Sequence, residues 1–301
     1  MNLVILAAGI LPAGPLLALA AAVLWGGGDF SGGMSARHAG GTIPAALRVV
    51  LLSHAASFAV LLAIATLRGD PFPHGAPLLW GLAAGVAGGL SLTCFYVALS
   101  RGAMGASAAV SGLLAAAIPA VVSIALEGSP GLLRIVGFAI AGLSIWLIAA
   151  GPNPEASPAA TGTFALAIAA GIGFGVYFVA LKYAGAAGLI WPMATARMGS
   201  LSTCSLLLLA VSLGRKTPTT SFSLPRAAVL WALSTAVLDT SGNILFIAAT
   251  RAGRLDVAAV LASLYPASTI LLAAWTLHER PTRRQGLGMA VAAVAVAMIT
   301  L

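Results

Sequence analysis

Of 301 residues, 60% are hydrophobic and only 7% are charged, against the roughly 25% charged of a soluble domain, so a water-soluble globular fold is excluded. The formal charge of +8 would suggest nucleic acid in a soluble protein, but the Lys and Arg residues stand mostly between apolar runs, where they orient helices in a bilayer. The two cysteines, Cys94 and Cys204, lie inside apolar runs and imply neither a disulfide framework nor a metal site.

Apolar runs of about 20 residues, enough to cross a hydrocarbon core of roughly 30 Å, recur along the chain. The first predicted helix, near 15–36, contains "WGGGDF", where Asp29 follows three glycines. With no positive n-region before it, this run reads as a span and not as a cleaved signal peptide. Helix 2, near 43–67, carries Arg48 and His54. Helix 3, near 76–99, has Gly81, Gly85 and Gly89 at four-residue spacing, which lets another helix approach closely. Helix 4, near 104–126, contains Pro119 and is closed by Glu127, and helix 5 follows near 131–150. A linker at 151–161 leads to helices near 162–184, 190–213, 226–250, 255–277 and 282–301. The ninth contains Pro266 and is closed by Glu279. Each of these prolines should bend its helix.

The two halves match when shifted by 148 to 152 residues. Trp80 pairs with Trp231, Phe95 with Phe246 and Gly137 with Gly288, while Phe30 answers Phe178 and Arg48 answers Arg197. An odd number of helices per half sends the second half through the membrane upside down. The expected architecture is therefore an all-α membrane protein of ten transmembrane helices, a 5+5 inverted-topology repeat with units at 15–150 and 162–301, an arrangement suited to alternating access.

Both glutamates sit at helix C-termini, where the dipole is unfavourable to an anion. A proline follows each closely, so Glu127 and Glu279 are expected to face the unpaired N–H groups of the next helix, a structural role. Ionisable groups inside spans carry more information, because each costs at least about 2.5–3.5 kcal/mol at mid-helix on insertion scales. They are Asp29, Arg48, His54, Arg197 and Asp239. The arginines are related by the repeat and near helix ends, so snorkelling, an ion pair or substrate contact would each account for them. His54 reads as a packing or hydrogen-bonding residue. The aspartates break the symmetry: Asp29 stands opposite Tyr177 and Asp239 opposite Gly88 in the repeat. On helix 8, Thr235, Asp239, Asn243 and Phe246 form one stripe at spacings of 4, 4 and 3. Facing Asp239 across a cavity, Asp29 could exchange protons near physiological pH; paired with Arg48 or Arg197 it would stay charged.

The segment "LYPASTILLAAWTLHERPTRRQGLGMAVAAVAVAMI" resembles the end of an EamA-type domain of the drug/metabolite transporter superfamily, with a proline in helix 9, a closing acidic residue and a glycine-bearing helix 10. The first half answers with "LLAAAIPAVVSIALEGSPGLLRIVGFAIAGLSIWLI", and Arg48 stands where that family often has an arginine opening helix 2. The resemblance implies a secondary transporter, an exporter of a small metabolite, amino acid or drug-like solute, in a bacterial inner membrane with both termini in the cytoplasm. Substrate would bind among helices 1, 3, 4, 6, 8 and 9, with Trp25, Phe30, Tyr96, Tyr177, Phe246 and Tyr265 as walls and Asp29, Asp239 and Asn243 as polar contacts. Expected partners are the small-molecule substrate, the bilayer and a coupling proton, with neither nucleic acid nor a cofactor, as a monomer or homodimer. Lys and Arg in and around the short loops number eight on the side this orientation makes external and five on the other, against the positive-inside tendency.

Two other classes compete. "GGGD" satisfies the G-x-G-D pattern of intramembrane aspartyl proteases, but Asp239 stands in "VLDT" without the tyrosine those enzymes place before their other aspartate. A non-transporting scaffold would explain the spans but not the inverted repeat. With no Walker loop or H-E-x-x-H motif, the expectation is a protein that is not an enzyme.

Overall fold

The computed structural model describes residues 12–101, 104–149, 158–213, 223–276 and 282–301, which contain helices and connections but no strand. The helices are α1 (Ala13–His38), α2 (Ile43–Arg68), α3 (Ala76–Arg101), α4 (Met104–Glu127), α5 (Leu132–Ala149), α6 (Pro158–Ala184), α7 (Ile190–Leu213), α8 (Arg226–Ala252), α9 (Leu255–Ala262), α10 (Tyr265–Thr276) and α11 (Arg283–Thr300). Eight stretches among the described residues are long and apolar enough to cross a membrane, with Leu255–Thr276 counted as one. The protein is a multi-pass integral membrane protein.

Local signals set the ends. The Thr42 hydroxyl accepts the Ala45 N–H to cap α2, and Gly69 closes that helix at φ 68°, a left-handed conformation natural to glycine. Thr282 and Gln285 form a capping box at the start of α11. Predicted helix 9 differs from expectation. It is interrupted at Ser263 and Leu264, and Pro266 falls in the first turn of the new segment α10, where its missing N–H deprives the helix of nothing. Pro119 remains inside the continuous α4.

Packing is dominated by α1 along α8, α3 along α6 and α11 along α5, with α7 against α3 and α2, α4 against α6, and α9 and α10 against α1 and α4. The predicted glycine face of α3 lies on α7. A Cβ at Gly85 would collide with the Ala196 carbonyl oxygen, and one at Gly199 with that of Leu82. Backbone therefore touches backbone at this crossing. On the other pair, a Cβ at Gly28 would stand 3.2 Å from the Asp239 amide nitrogen, so α1 and α8 also meet with almost no side chain between them.

Glu127 meets a different partner from the one expected. Its carboxylate pairs with Lys182 on α6 and accepts the Ser123 hydroxyl at 2.9 Å. A full cation in contact outweighs the roughly half charge of a helix terminus. The carbonyls ending α4 are met instead by Arg254, which donates to Glu127 O at 3.2 Å and to Gly128 O at 2.7 Å. The same guanidinium holds the fully buried Asp256 at 2.8 Å. One end of the bundle is thus tied across α4, α6 and α9. Glu279 lies outside the described residues.

Two outcomes follow. Gly85→Ala should lower stability by at least about 1–3 kcal/mol, the usual cost of overpacking, whereas Gly286→Ala, with open space around it, should be close to neutral; thermal unfolding in detergent distinguishes them. A double-mutant cycle of Glu127→Gln with Lys182→Met should return a coupling of about 0.5–1 kcal/mol, and additive effects would mean that the pair contributes nothing.

Candidate functional site

The tight α1–α8 contact sets two carboxylates side by side. Trp25 and Asp29 occupy successive turns of one face of α1, and Asp239 and Asn243 do the same on α8; all four line a cavity in the middle of the bundle. Phe174, Tyr177 and Phe178 from α6, Arg197 and Ser200 from α7, His54 from α2, Tyr265 at the start of α10 and the glycine face of α3 complete it. Both halves of the chain contribute. The cavity volume is about 30 Å³, room for a water or two and too little for an organic solute in this conformation.

Arg197 organises the polar side. It is 2% exposed, which rules out snorkelling, and its guanidinium donates to Asp239 Oδ2 at 2.5 Å, to Thr240 Oγ1 at 2.9 Å and to His54 Nε2 at 2.7 Å. A guanidinium can only donate, so His54 Nε2 accepts and the imidazole is neutral with its proton on Nδ1. That proton is given to Ser200 Oγ at 2.6 Å. On α8, the Asn243 amide donates to the Asp239 carbonyl at 2.7 Å and its oxygen accepts the Tyr177 hydroxyl at 2.8 Å. Tyr265 exchanges a hydrogen bond of 2.8 Å with Ser111 of α4. Asp29 stands apart from this network. It is 7% exposed, its main charged neighbour is Asp239, and among the described residues its carboxylate has no hydrogen bond or ion pair.

Of the residues singled out in the sequence, Trp25, Asp29, Tyr177, Arg197, Asp239, Asn243 and Tyr265 come together at the cavity, while Arg48, Phe30, Tyr96 and Phe246 are not in its wall. Phe246 is wholly buried behind Trp25, with ring centroids 5.4 Å apart, and packs on Phe178 at 4.8 Å. Phe30 makes an edge contact with Trp231. Tyr96 fills the space left by Gly32, and its buried hydroxyl has no partner. The contributing helices also differ from expectation: α2 and α7 join the wall, and α4 supplies no lining residue, its Ser111 bonding instead to the wall residue Tyr265. His54, Ser200, Phe174 and Phe178 were not foreseen as site residues. The spacing of Arg197, Ser200 and Cys204, three and then four residues apart on α7, is the signal that would have drawn His54 and Ser200 in. Among the described residues no cluster of three His, Cys, Asp or Glu is placed to hold a metal.

Comparison with known proteins agrees with this architecture. A crystal structure titled only as a protein superposes with a TM-score of 0.73 over 96% of this chain and 99% of its own, at 17% identity, and so shares the fold. No sequence among curated proteins matches. The model of the EamA-like transporter family matches residues 162–301. That segment, which supplies Tyr177, Arg197, Asp239, Asn243 and Tyr265 to the cavity, is similar to the EamA-like transporter family.

Proposed function

We propose that the protein is a secondary transporter that exports a small organic solute by alternating access, with the central cavity as its binding site. The observation that carries this reading is the Asp29 carboxyl, buried and without a hydrogen bond or ion pair among the described residues, in the wall of a cavity to which both halves contribute. A buried carboxyl without a hydrogen-bond partner or counter-ion is costly, and a fold that retains one has a use for an occupant that comes and goes.

The packing pattern supports two inverted repeats of five crossings, residues 15–150 and 162–301, joined by 151–161. Exchanging the halves carries the α1–α8 pair onto α6–α3 and the α4–α6 pair onto the contact of α9 and α10 with α1, while α2–α7 and α5–α11 map onto themselves. Rocking one half against the other would open the cavity to each side in turn. The tie of Lys182, Arg254 and Asp256 to α4 would hold one end shut. We take the family orientation, with both termini in the cytoplasm of a bacterial inner membrane, over the count of loop charges. Asp29 would take up the coupling proton or a cationic group of the solute. The charged and titratable groups around it are Asp239 on α8, Tyr96 on α3 and Tyr265 on α10, with Arg197 and His54 behind Asp239. The protease alternative fits poorly, since it needs two carboxylates sharing one water and Asp239 is held by Arg197.

In liposomes assayed from pH 5 to 9, Asp29→Asn should abolish solute uptake or its pH dependence while the protein still folds and inserts. Transport equal to wild type at every pH would remove Asp29 from the mechanism. Arg197→Gln, which strands Asp239 as an unpaired buried charge, should cost about 3–5 kcal/mol of stability, read from thermal or denaturant unfolding.

A further inference from the structure

The charges around the cavity name the class of solute that fits it. Two carboxylates and one guanidinium face the space. Asp239 is neutralised by Arg197 at 2.5 Å. The guanidinium is in turn largely committed, with one terminal nitrogen on Asp239 and Thr240 and the other on His54, leaving its buried Nε–H and one N–H of the nitrogen on His54 without an acceptor among the described residues. His54 is neutral, because its Nε2 accepts from Arg197. One carboxyl remains without a counter-ion, that of Asp29, and among the described residues nothing bonds to it.

The uncharged part of the wall points the same way. The Tyr177 hydroxyl and both polar atoms of the Asn243 amide are occupied by one another and by the Asp239 carbonyl, and the Tyr265 hydroxyl is bonded to Ser111. Few donors are left for an anion. The same cavity is lined by Trp25, one turn before Asp29, with Phe174, Tyr177 and Tyr265, and aromatic faces attract cations.

We propose that the cavity selects a monovalent organic ammonium ion, its nitrogen against Asp29 and its apolar part against Trp25, Phe174 and Leu92. This rests on reading the cavity as the transport site. An anionic solute would be set beside Asp29 with Arg197 already engaged, a neutral one would leave Asp29 uncompensated, and a dication would bring a charge for which no carboxylate is left.

The test is a matched series on purified full-length protein at pH 7: phenethylammonium, the neutral 3-phenylpropan-1-ol, the anionic 3-phenylpropanoate and zwitterionic phenylalanine. Thermal unfolding reads binding, since a ligand of the folded state raises its midpoint, and flux of the same probes into liposomes reads transport. Phenethylammonium alone should stabilise wild type, with affinity falling on the order of tenfold to a hundredfold in Asp29→Asn and largely retained in Asp29→Glu. Without ligand, Asp29→Asn should unfold no earlier than wild type, because among the described residues the carboxyl makes no hydrogen bond or ion pair that the change would break. Equal or stronger stabilisation by the alcohol, the anion or the zwitterion, or a cation effect that survives Asp29→Asn, overturns the assignment, as does no stabilisation by any probe. Should Asp29→Asn fail to fold, loss of the cation effect in Asp29→Glu overturns it in the same way. Flux of a non-cationic probe would discard the cation and keep the transporter, whereas Asp29-dependent binding of the cation without flux would keep the class and discard transport.

Discussion

The contact of Arg197 with Asp239 is the interaction on which the rest of the site depends. A guanidinium buried to 2% exposure in the middle of a membrane protein must be met by an opposite charge and by acceptors for its other N–H groups. Asp239 supplies the first, and His54 and Thr240 supply the others. From that one commitment follow the tautomer of His54, the orientation of Ser200 and the isolation of Asp29. Had Arg197 turned to Asp29, the cavity would carry a different unpaired charge on a different helix.

That geometry is available only because helices touch at backbone distance. In lipid, apolar side chains gain little by packing on each other instead of on acyl chains, and small residues that let backbones meet do most of the work. The α3–α7 crossing at Gly85 and Gly199 brings Arg197 and Ser200 toward the centre, and Gly28 against Asp239 does the same for α1 and α8. A methyl group at either place would move a charged residue away from its partner, so the glycines and the ion pair are one design.

Much of this could be read from residue order. Apolar run length located the helices, four-residue spacing located the glycine face, and the stripe Thr235, Asp239, Asn243 marked the side of α8 that meets α1 and α6. The aromatic positions were harder. Phe30, Tyr96 and Phe246 lie on mostly apolar helices, and where lipid is as apolar as the core the period of apolar residues does not separate cavity wall from packing. Glu127 was misjudged because its partner Lys182 lies in the other half of the chain, 55 residues on, a distance at which spacing carries no information. The link of His54 to Arg197 spans 143 residues and was hidden for the same reason. In the ninth crossing Pro266 was legible as a disturbance, but not as the opening turn of a separate helix.

The interruption at Ser263 and Leu264 also bears on depth in the bilayer. At about 1.5 Å per residue, the eight residues of α9 and the twelve of α10 rise roughly 12 Å and 18 Å, together about the thickness of one hydrocarbon core. Neither rod is long enough to cross such a core alone, and the second begins at Tyr265, which lines the cavity. Lipid tolerates such irregular backbone only where protein covers it, and here α4 and α1 provide the cover. A change in membrane thickness can therefore be taken up by tilting one rod against the other, which would make the shape of the cavity respond to the lipid around it.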